Sequence, residues 1–208
     1  MKLIIITRPE YFEGETDLVN ALFAEGMPRL HLRKPKASQQ EMADWIGQVE
    51  PAFRSRIVLH DHHDLTREFH LGGIHLNSRH PEPPDWLTDC PWLTVSRSCH
   101  SLAEVQQYLV TQSTSGMPIY DYLFLSPIFD SISKEGYGAT FTQTELTAAR
   151  EDGLLSDRVF ALGGISLDRL PTVRNLGFAG AAILGDLWLH KPATTSALIE
   201  RLHAYSHV

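Results

Sequence analysis

Eight short apolar runs recur along the chain and alternate with segments of helical periodicity. The first, residues 2–7, is rich in β-branched residues, is too short for an ordinary helix and is too apolar to expose one face to water. Such a run predicts a buried parallel strand. The other runs lie at 29–32, 56–59, 73–76, 92–96, 120–125, 158–162 and 179–184. Helical spacing occurs between most of them, at 15–25, 39–53, 64–70, 101–111, 143–152 and 167–175.

This alternation predicts a parallel sheet with right-handed crossovers, and eight units are enough to close an α/β fold of the TIM (β/α)8 barrel type. A chain of 208 residues, 43% of them hydrophobic, is long enough for one barrel domain over residues 1–208. An open doubly wound sheet is the alternative, because it would also place ligands at its strand ends. The proline-rich segment 77–91 has room for only a short helix.

The charge pattern excludes several classes of partner. The net charge is -7, the pI is near 5.8, and lysines and arginines are scattered rather than clustered. Nucleic acids and anionic membranes would require a basic face, so we expect neither as a partner. No apolar run approaches the roughly 20 residues that cross a bilayer, and no signal segment is recognised, so a cytoplasmic location is expected. Cys90 and Cys99 have no metal-type or redox-type spacing and are predicted to be reduced thiols.

Polar residues follow the apolar runs directly. Because barrel enzymes carry their chemistry where the strands end, these residues should meet at one mouth of the barrel. The loop after residues 120–125 carries the hydroxyls of Ser131 and Ser133 and the ammonium of Lys134, which together suit a phosphate or diphosphate. Arg33, Lys34 and Lys36 follow the second run and could reach the same anion; at least one of the two lysines is expected to be solvated.

Two glycine-rich turns predict a second anion site. Gly163 and Gly164 follow the seventh run, and Gly185 follows the eighth. Glycine lets backbone N–H groups approach a phosphate with no Cβ in the way, and this position is the recurrent phosphate site of barrel enzymes. Two phosphate-sized sites indicate an enzyme that handles small phosphorylated molecules.

The segment 60–64 is the richest polar cluster, although its spacing fits no standard zinc pattern. Asp61, at a strand end, could hold Mg²⁺ through one oxygen. Asp64 is predicted to cap or charge the first turn of a helix. His75, inside a strand, is predicted to be a hydrogen-bonded core histidine. Helix capping is the alternative to a functional role for Ser98 and His100.

Six motifs in order resemble the thiamine phosphate synthase family and its relatives, the thiazole tautomerases. His31-Leu-Arg33 is similar to the family's Gln-Leu-Arg, and His60-Asp61-x-x-Asp64-Leu to its Asn-Asp-x-x-Asp-Leu. Gly73-Ile-His75-Leu is similar to the family's Gly-Val-His-Leu, and Ser98-Cys-His100-Ser-Leu to its Ser-x-His-Thr-Leu. Ser126-Pro-Ile-Phe, with Ser131, Ser133 and Lys134, is similar to Gly-Pro-Ile-Phe-x-Thr-x-Thr-Lys. Ala161-Leu-Gly-Gly-Ile is similar to Ala-Ile-Gly-Gly-Ile. Each motif alone is weak, but the ordered set is specific.

The resemblance implies a TIM barrel that joins hydroxymethylpyrimidine diphosphate to a thiazole phosphate, releasing pyrophosphate and forming thiamine phosphate. The implied catalytic residues are Arg33, Lys134, His60 and Ser98. The implied substrate-binding residues are His31, Lys34, Lys36, Ser131, Ser133, Gly163, Gly164 and Gly185. The implied metal is Mg²⁺, with Asp61 and His80 at the ligand positions. The expected partners are small phosphorylated substrates, and the sequence leaves open whether the chain forms a homodimer.

Four positions depart from the family pattern at the diphosphate end of this implied site. His31 stands where the family has Gln, Pro35 where it has Lys, His60 where it has Asn, and His80 where it has the second Mg²⁺ carboxylate. Two alternatives therefore stay open. The chain could isomerise a thiazole phosphate with His31, His60 or His100 moving the proton, although Ser126 stands where the tautomerases would carry a histidine. It could also bind a thiazole phosphate or thiamine phosphate without turnover.

Overall fold

The computed structural model describes residues 1–111, 119–130, 138–188 and 194–206. Eight parallel strands form a closed barrel in chain order, with the last strand pairing with the first. The strands are β1 (Lys2–Ile6), β2 (Leu30–Leu32), β3 (Ile57–Leu59), β4 (Gly73–Leu76), β5 (Thr94–Cys99), β6 (Tyr122–Leu125), β7 (Val159–Leu162) and β8 (Gly180–Ile183). The predicted TIM barrel is confirmed, and the open doubly wound sheet is excluded.

Helices follow most strands and cover the outside of the barrel. They are α1 (Glu15–Ala24), α2 (Gln39–Gly47), α3 (Pro51–Arg54), α4 (Leu65–Glu68), α5 (Leu102–Val110), α6 (Gln143–Glu151), α7 (Leu170–Asn175), α8 (Gly185–Trp188) and α9 (Thr195–Ser206). Short 3-10 helices lie at Asp85–Asp89 and Leu167–Arg169. Capping boxes begin α2, at Ser38 and Glu41, and α6, at Thr142 and Glu145, so two backbone N–H groups at the start of each of these two helices are bonded.

The alternation of side chains along each strand divides the core into two parts. In β1, Leu3 and Ile5 pack outward against the helices, while Ile4 and Ile6 point into the barrel. The interior itself has two halves. Its β1, β6, β7 and β8 side is apolar and contains Tyr122, Phe124, Phe160 and Ala182. The β2 to β5 side instead buries His31, His60, His75 and Ser96. This polar half lies directly beneath the mouth of the barrel.

Two predicted elements and one predicted helix cap differ from the observed ones. The helix predicted over 39–53 is interrupted, because Pro51 lacks an N–H and holds Glu50 in an extended conformation before α3. The strand predicted over 92–96 instead spans Thr94–Cys99, so Ser98 lies within β5. The cap of α5 is Ser101, whose hydroxyl accepts from the Glu104 N–H at 3.1 Å. Ser98 is therefore not a helix cap.

None of the helices in the described segments combines the length and the apolar character needed to span a bilayer.

Candidate active site

A cleft of about 650 Å³ opens at the mouth of the barrel, where the strands end. All eight strands contribute residues at or just after their carboxyl ends, from Ile6 at the end of β1 to Gly185 after β8. Apolar side chains such as Leu162, Ala182 and Trp188 line part of the wall. The polar residues therefore meet at one face, as the strand-end pattern of the sequence predicts.

Two arginines, Arg33 after β2 and Arg79 after β4, give the cleft a basic end. Arg8 also lines it, after β1, which pairs with β8, and Glu10 is the carboxylate among the described lining residues. Arg33 is partly buried, and its backbone is fixed by the hydroxyl of Thr7, which accepts from the Arg33 N–H at 2.9 Å. Burial, and next the charge of Arg79, lower the pKa of the Arg33 guanidinium. Two neighbouring cations in this position favour a bound anion.

The carboxylate of Asp61 is covered by two basic side chains. Its Oδ1 accepts from Nε and Nη2 of Arg79 at 3.0 and 2.9 Å, and its Oδ2 accepts from Nη2 at 3.2 Å. His80 Nε2 lies 3.3 Å from Oδ1. The side chain of Asp61 is only 5% exposed. Both oxygens of the predicted Mg²⁺ ligand are thus engaged within the protein.

This donor set does not fit the Mg²⁺ that the family resemblance implies. Mg²⁺ requires oxygen ligands in nearly octahedral geometry, and imidazole is a poor ligand for it. Of the two predicted ligands, Asp61 is bonded to Arg79 and His80 offers only nitrogen. A third group, the guanidinium of Arg79, would have to move before a metal could reach Asp61. The residues at this position therefore do not form a Mg²⁺ site in this arrangement.

The two lysines after β2 have different environments. Lys34 is fully buried, and its ammonium donates to both carboxylate oxygens of Glu15 at 2.7 Å and to the Glu10 carbonyl at 2.9 Å. It is not among the residues that line the cleft, and its predicted contact with substrate stays a prediction. Lys36 is exposed and likewise does not line the cleft. The buried ion pair attaches the loop after β2 to α1.

Beneath the cleft, three histidines form a hydrogen-bonded cluster. His31 Nδ1 and His60 Nε2 share a hydrogen bond of 2.9 Å, and His31 Nε2 lies 2.6 Å from the Tyr122 hydroxyl. The rings of His60 and His75 stack with centroids 4.1 Å apart. His75 bonds Ser96 Oγ at 2.9 Å and Ser98 Oγ at 2.8 Å, one at each ring nitrogen. His60 and Ser98 line the cleft, while His31 and His75 are fully buried below it.

Burial keeps these imidazoles neutral. It lowers the pKa of His31 and of His60 well below the usual value of 6.5, and lowers that of His75 to about 3. Neighbouring histidines and, for His60 and His75, the arginines above them add to this effect. A Tyr122 hydroxyl that donates to His31 Nε2 places the His31 proton on Nδ1, facing His60 Nε2. The His60 proton then lies on its Nδ1.

One nitrogen of each histidine lies within 4.8 Å of one nitrogen of the others, close enough to hold a transition metal. The surroundings oppose this. His31 and His60 bond each other, both nitrogens of His75 bond serines, and arginines lie nearby. A divalent cation buried here would have no carboxylate in the cluster to balance its charge and would lie near arginines. The cluster is better described as a hydrogen-bonded support for the floor of the cleft.

On the β5 and β6 side, His100 and Ser126 lie together at the cleft. His100 Nδ1 is 3.2 Å from the Ser126 carbonyl oxygen and 3.5 Å from its hydroxyl. The fold thus brings a histidine next to the Pro-Ile-Phe segment, although the chain carries Ser126 at that position.

Asp64, which the sequence predicts to cap or charge the first turn of a helix, makes no capping bond to α4. Its carboxylate instead accepts a hydrogen bond from Trp86 Nε1 at 2.6 Å.

The predicted phosphate-binding glycines line the opposite end of the cleft. Gly163 and Gly164 have φ values of +94° and +63°, and Gly185 begins α8. The carbonyl of Gly164 accepts from Arg169 Nη1 at 2.6 Å, which holds the turn. A Cβ on Gly164 would lie 2.3 Å from the Asp130 carbonyl oxygen and 2.8 Å from Phe129 Cβ. Glycine is therefore required both by the backbone conformation and by the neighbouring loop.

Gly164→Val should lower the free energy of unfolding by more than about 2 kcal/mol, because the new side chain meets the backbone after β6 in a conformation that β-branched residues avoid. Urea denaturation measures this loss. Gly153→Val is the matched control, since Gly153 has a φ of +72° but open space around it. Equal losses in both variants would show that the contact with Phe129 and Asp130 is unimportant.

Ser131, Ser133 and Lys134 lie outside the described residues, so their predicted roles stay predictions. Arg79 is a lining residue that the sequence motifs do not indicate. It follows β4 by three residues, and that position is the available signal.

Comparisons with known proteins identify the family. The family model described as thiamine monophosphate synthase matches residues 3–187. A crystal structure of thiamine phosphate pyrophosphorylase from Bacteroides thetaiotaomicron is 37% identical, with a TM-score of 0.83, and the match covers 99% of this chain and 96% of that one. The structure of thiamine phosphate pyrophosphorylase from Pyrococcus furiosus is 19% identical, with a TM-score of 0.73. The match covers 99% of this chain and 96% of that one, and it supports the fold.

Curated relatives agree. Thiamine-phosphate synthase of Koribacter versatilis is 25% identical over 192 residues, which are 91% of this chain and 87% of that protein. Thiamine-phosphate synthase of Latilactobacillus sakei is 30% identical over 128 residues, which are 61% of this chain but only 54% of that protein. With the barrel, the strand-end cleft and the ordered motifs, these matches show that the chain belongs to the thiamine monophosphate synthase family.

Proposed function

We propose that the cleft joins a pyrimidinylmethyl diphosphate to a thiazole phosphate, releasing pyrophosphate and forming thiamine phosphate. The observation that carries this proposal is the separation of two anion-binding ends in one cleft. Arg33 and Arg79 follow β2 and β4, whereas the glycine turns follow β7 and β8. In a closed barrel of eight strands, β3 and β4 lie across from β7 and β8. Two phosphorylated substrates can therefore enter with their reactive ends facing each other.

The chemistry asks mainly for stabilisation of a leaving diphosphate. The bond between the pyrimidinylmethyl carbon and the diphosphate oxygen breaks, and the oxygen keeps the electron pair. The lone pair of the thiazole nitrogen then forms the new carbon–nitrogen bond. Arg33 and Arg79 face the developing negative charge from fixed positions, and Ser98 offers a hydroxyl. Ser131, Ser133 and Lys134 are proposed to complete this end of the site.

The glycine end is proposed to hold the thiazole phosphate. Gly163 and Gly164 expose backbone at the turn after β7, and Gly185 does so at the start of α8. The apolar wall of Leu162, Ala182 and Trp188 continues between the two ends and suits the uncharged parts of the rings. Binding two reactants side by side turns their encounter into an intramolecular event, which is itself a large part of catalysis.

The neutral histidine cluster fits this assignment better than it fits proton transfer. His31 is fully buried with both nitrogens bonded, so it cannot reach a ligand as a general base. His60 faces the cleft, but its pKa is lowered well below 6.5 by burial, which makes it a weak base and a neutral hydrogen-bonding group. The coupling reaction needs no general base at the thiazole nitrogen.

The test is a coupling assay with purified protein, pyrimidine diphosphate and thiazole phosphate, read by chromatography for thiamine phosphate and pyrophosphate in stoichiometric amounts. We expect both products, and we expect Arg33→Ala to slow their formation at least 100-fold, because a cation facing the leaving group is lost. Arg174→Ala, an exposed position on α7, is the control and should retain full activity. No product under any condition would reject the transferase.

One contact favours a second candidate, an isomerase acting on thiazole phosphate. His100 lines the cleft beside Ser126, within reach of a ligand at the mouth. Incubating the protein with thiazole phosphate in deuterated water and following exchange by NMR tests this activity. Exchange that disappears in His100→Asn, without any coupling, would support the isomerase. Binding of thiazole phosphate with neither reaction would support a non-catalytic carrier.

A further inference from the structure

Arg79 occupies the space from which a cation would approach Asp61. Its Nε and Nη2 donate three hydrogen bonds to the two carboxylate oxygens, at 2.9 to 3.2 Å. The Asp61 side chain is 5% exposed and that of Arg79 is 38% exposed. Of these two residues, Arg79 lines the cleft and Asp61 does not. The guanidinium thus lies between the carboxylate and whatever binds in the cleft.

The position of Arg79 is fixed by a tight turn after β4. Asn77 and His80 exchange two backbone hydrogen bonds of 3.1 Å, and the Asn77 side-chain oxygen accepts from the Arg79 N–H at 2.9 Å. Asn77 Nδ2 in turn donates to the His60 carbonyl at 3.1 Å. The side chain is therefore held at its backbone and at its guanidinium. None of its bonds to Asp61 uses Nη1, and within the described segments Nη1 has no other hydrogen-bond partner, so its two hydrogens can meet a ligand.

A second cation faces the same space. Arg33 lines the cleft, and the charge of Arg79 contributes, after burial, to a lowered pKa of its guanidinium. An anion bound between the two arginines would relieve this repulsion. Planar guanidinium groups bind phosphate oxygens in pairs, which gives both charge and orientation. The two side chains thus form a preorganised site for an oligophosphate.

We propose that this protein binds the diphosphate of its substrate without Mg²⁺, using Arg79, anchored on Asp61, together with Arg33 as the cations that meet it. This inference rests on the proposed function, since it assigns how the leaving group of that reaction is held. It explains why His80 can stand in place of a carboxylate: with Arg79 on Asp61, no metal requires a second oxygen ligand. The leaving diphosphate is then stabilised by fixed side chains rather than by an exchangeable ion.

Calorimetric titration with inorganic pyrophosphate tests the proposal. In buffer with excess EDTA, the protein should bind pyrophosphate at least as tightly as in buffer with Mg²⁺. The coupling assay should likewise keep most of its rate in EDTA. Pyrophosphate binding that requires Mg²⁺, or that is absent under both conditions, would overturn the proposal.

Variants separate the role of Arg79 from general electrostatics. Arg79→Ala should weaken pyrophosphate binding in EDTA by about tenfold or more, which is about 1.4 kcal/mol, while Arg174→Ala should leave it unchanged. Arg79→Lys, which keeps the charge but not the planar fork, should give an intermediate loss and serves if the alanine variant does not fold. Unchanged affinity in a folded Arg79→Ala variant would overturn the assignment.

The double variant Arg79→Ala/His80→Asp is the converse test. It frees Asp61 and adds a second carboxylate, so its pyrophosphate binding should become dependent on Mg²⁺.

The coupling and binding experiments together distinguish a failure of the arginine site from a failure of the proposed transferase activity. Coupling that occurs only with Mg²⁺ would keep the transferase and reject the arginine site. Metal-free pyrophosphate binding through Arg79 without coupling would keep the arginine site and reject the transferase.

Discussion

Replacing Lys34 by alanine is expected to lower the free energy of unfolding by about 3–5 kcal/mol, because the change leaves a buried carboxylate without its cation. Lys34 is fully buried and bonds both oxygens of Glu15, which is itself 2% exposed. Without the ammonium, Glu15 would keep the indole N–H of Trp45 at 3.0 Å as a donor. Burial raises the pKa of Glu15 and lowers that of Lys34, which means that it disfavours the charged form of each group. Each charge is therefore stable in the interior only beside its partner. Urea denaturation measures the loss.

Lys36→Ala is the matched control, since Lys36 lies two residues away and is exposed. Its effect on stability should stay within about 0.5 kcal/mol. The double variant Lys34→Met/Glu15→Leu should recover most of the stability, because it removes both charges together. Folded Lys34→Ala protein should also bind pyrophosphate with unchanged affinity. Weakened pyrophosphate binding with little loss of stability would return Lys34 to the substrate site.

Lowering the pH from 7.5 to 5 is expected to destabilise the fold strongly through the buried histidines. In the folded protein the pKa of His75 is lowered to about 3, whereas in the unfolded chain it is near 6.5. Below pH 6.5 the unfolded chain therefore binds a proton that the folded protein excludes. Stability is fully present above pH 6.5 and falls as the pH drops from there toward 3. The loss is about 1.4 kcal/mol per pH unit, or about 2 kcal/mol at pH 5 from His75 alone.

His31 and His60 add to this loss, since burial also lowers their pKa values well below 6.5. Urea denaturation at several pH values between 8 and 5 gives the slope. The variant His31→Gln/His60→Asn keeps polar groups in the cluster but removes two titrating rings, so its slope should be much shallower. His203→Asn, where the side chain is 46% exposed, is the control and should keep the steep slope. The same slope in all three proteins would show that other groups cause the acid sensitivity.

The strand and helix alternation was readable in the sequence because its physical cause is local. Buried parallel strands are continuous apolar runs, and the period-2 alternation in β1 places Ile4 and Ile6 on the face opposite to Leu3 and Ile5. The position of the site followed from the same reasoning, since the ends of parallel strands meet at one mouth. Errors fell at boundaries, where Pro51 divided a helix and β5 extended to Cys99.

The roles of individual polar side chains could not be read in this way. His31 and Arg33 both point inward after an apolar residue, yet His31 lies in the interior and Arg33 lies at the cleft. His31 lies within β2 and Arg33 just after it, two residues nearer the mouth, and which of these levels reaches the cleft depends on how the strands are staggered around the closed barrel. Lys34 and Lys36 have similar local sequence, but only Lys34 meets the carboxylate of Glu15 on α1. Ion-pair partners such as Lys34 and Glu15 are distant in sequence, and no periodic sequence pattern indicates that they will meet.

The sequence by itself thus determined the barrel, the face that carries the chemistry and the family, because strand periodicity and ordered motifs are properties of short segments. Only the tertiary structure decided which charges are free to meet a ligand. It paired Lys34 with Glu15 and Arg79 with Asp61, and it joined His31, His60 and His75 in one buried cluster. The physical reason is that a charge or a hydrogen bond is defined by its partner, and closure of the barrel brings partners together from different strands.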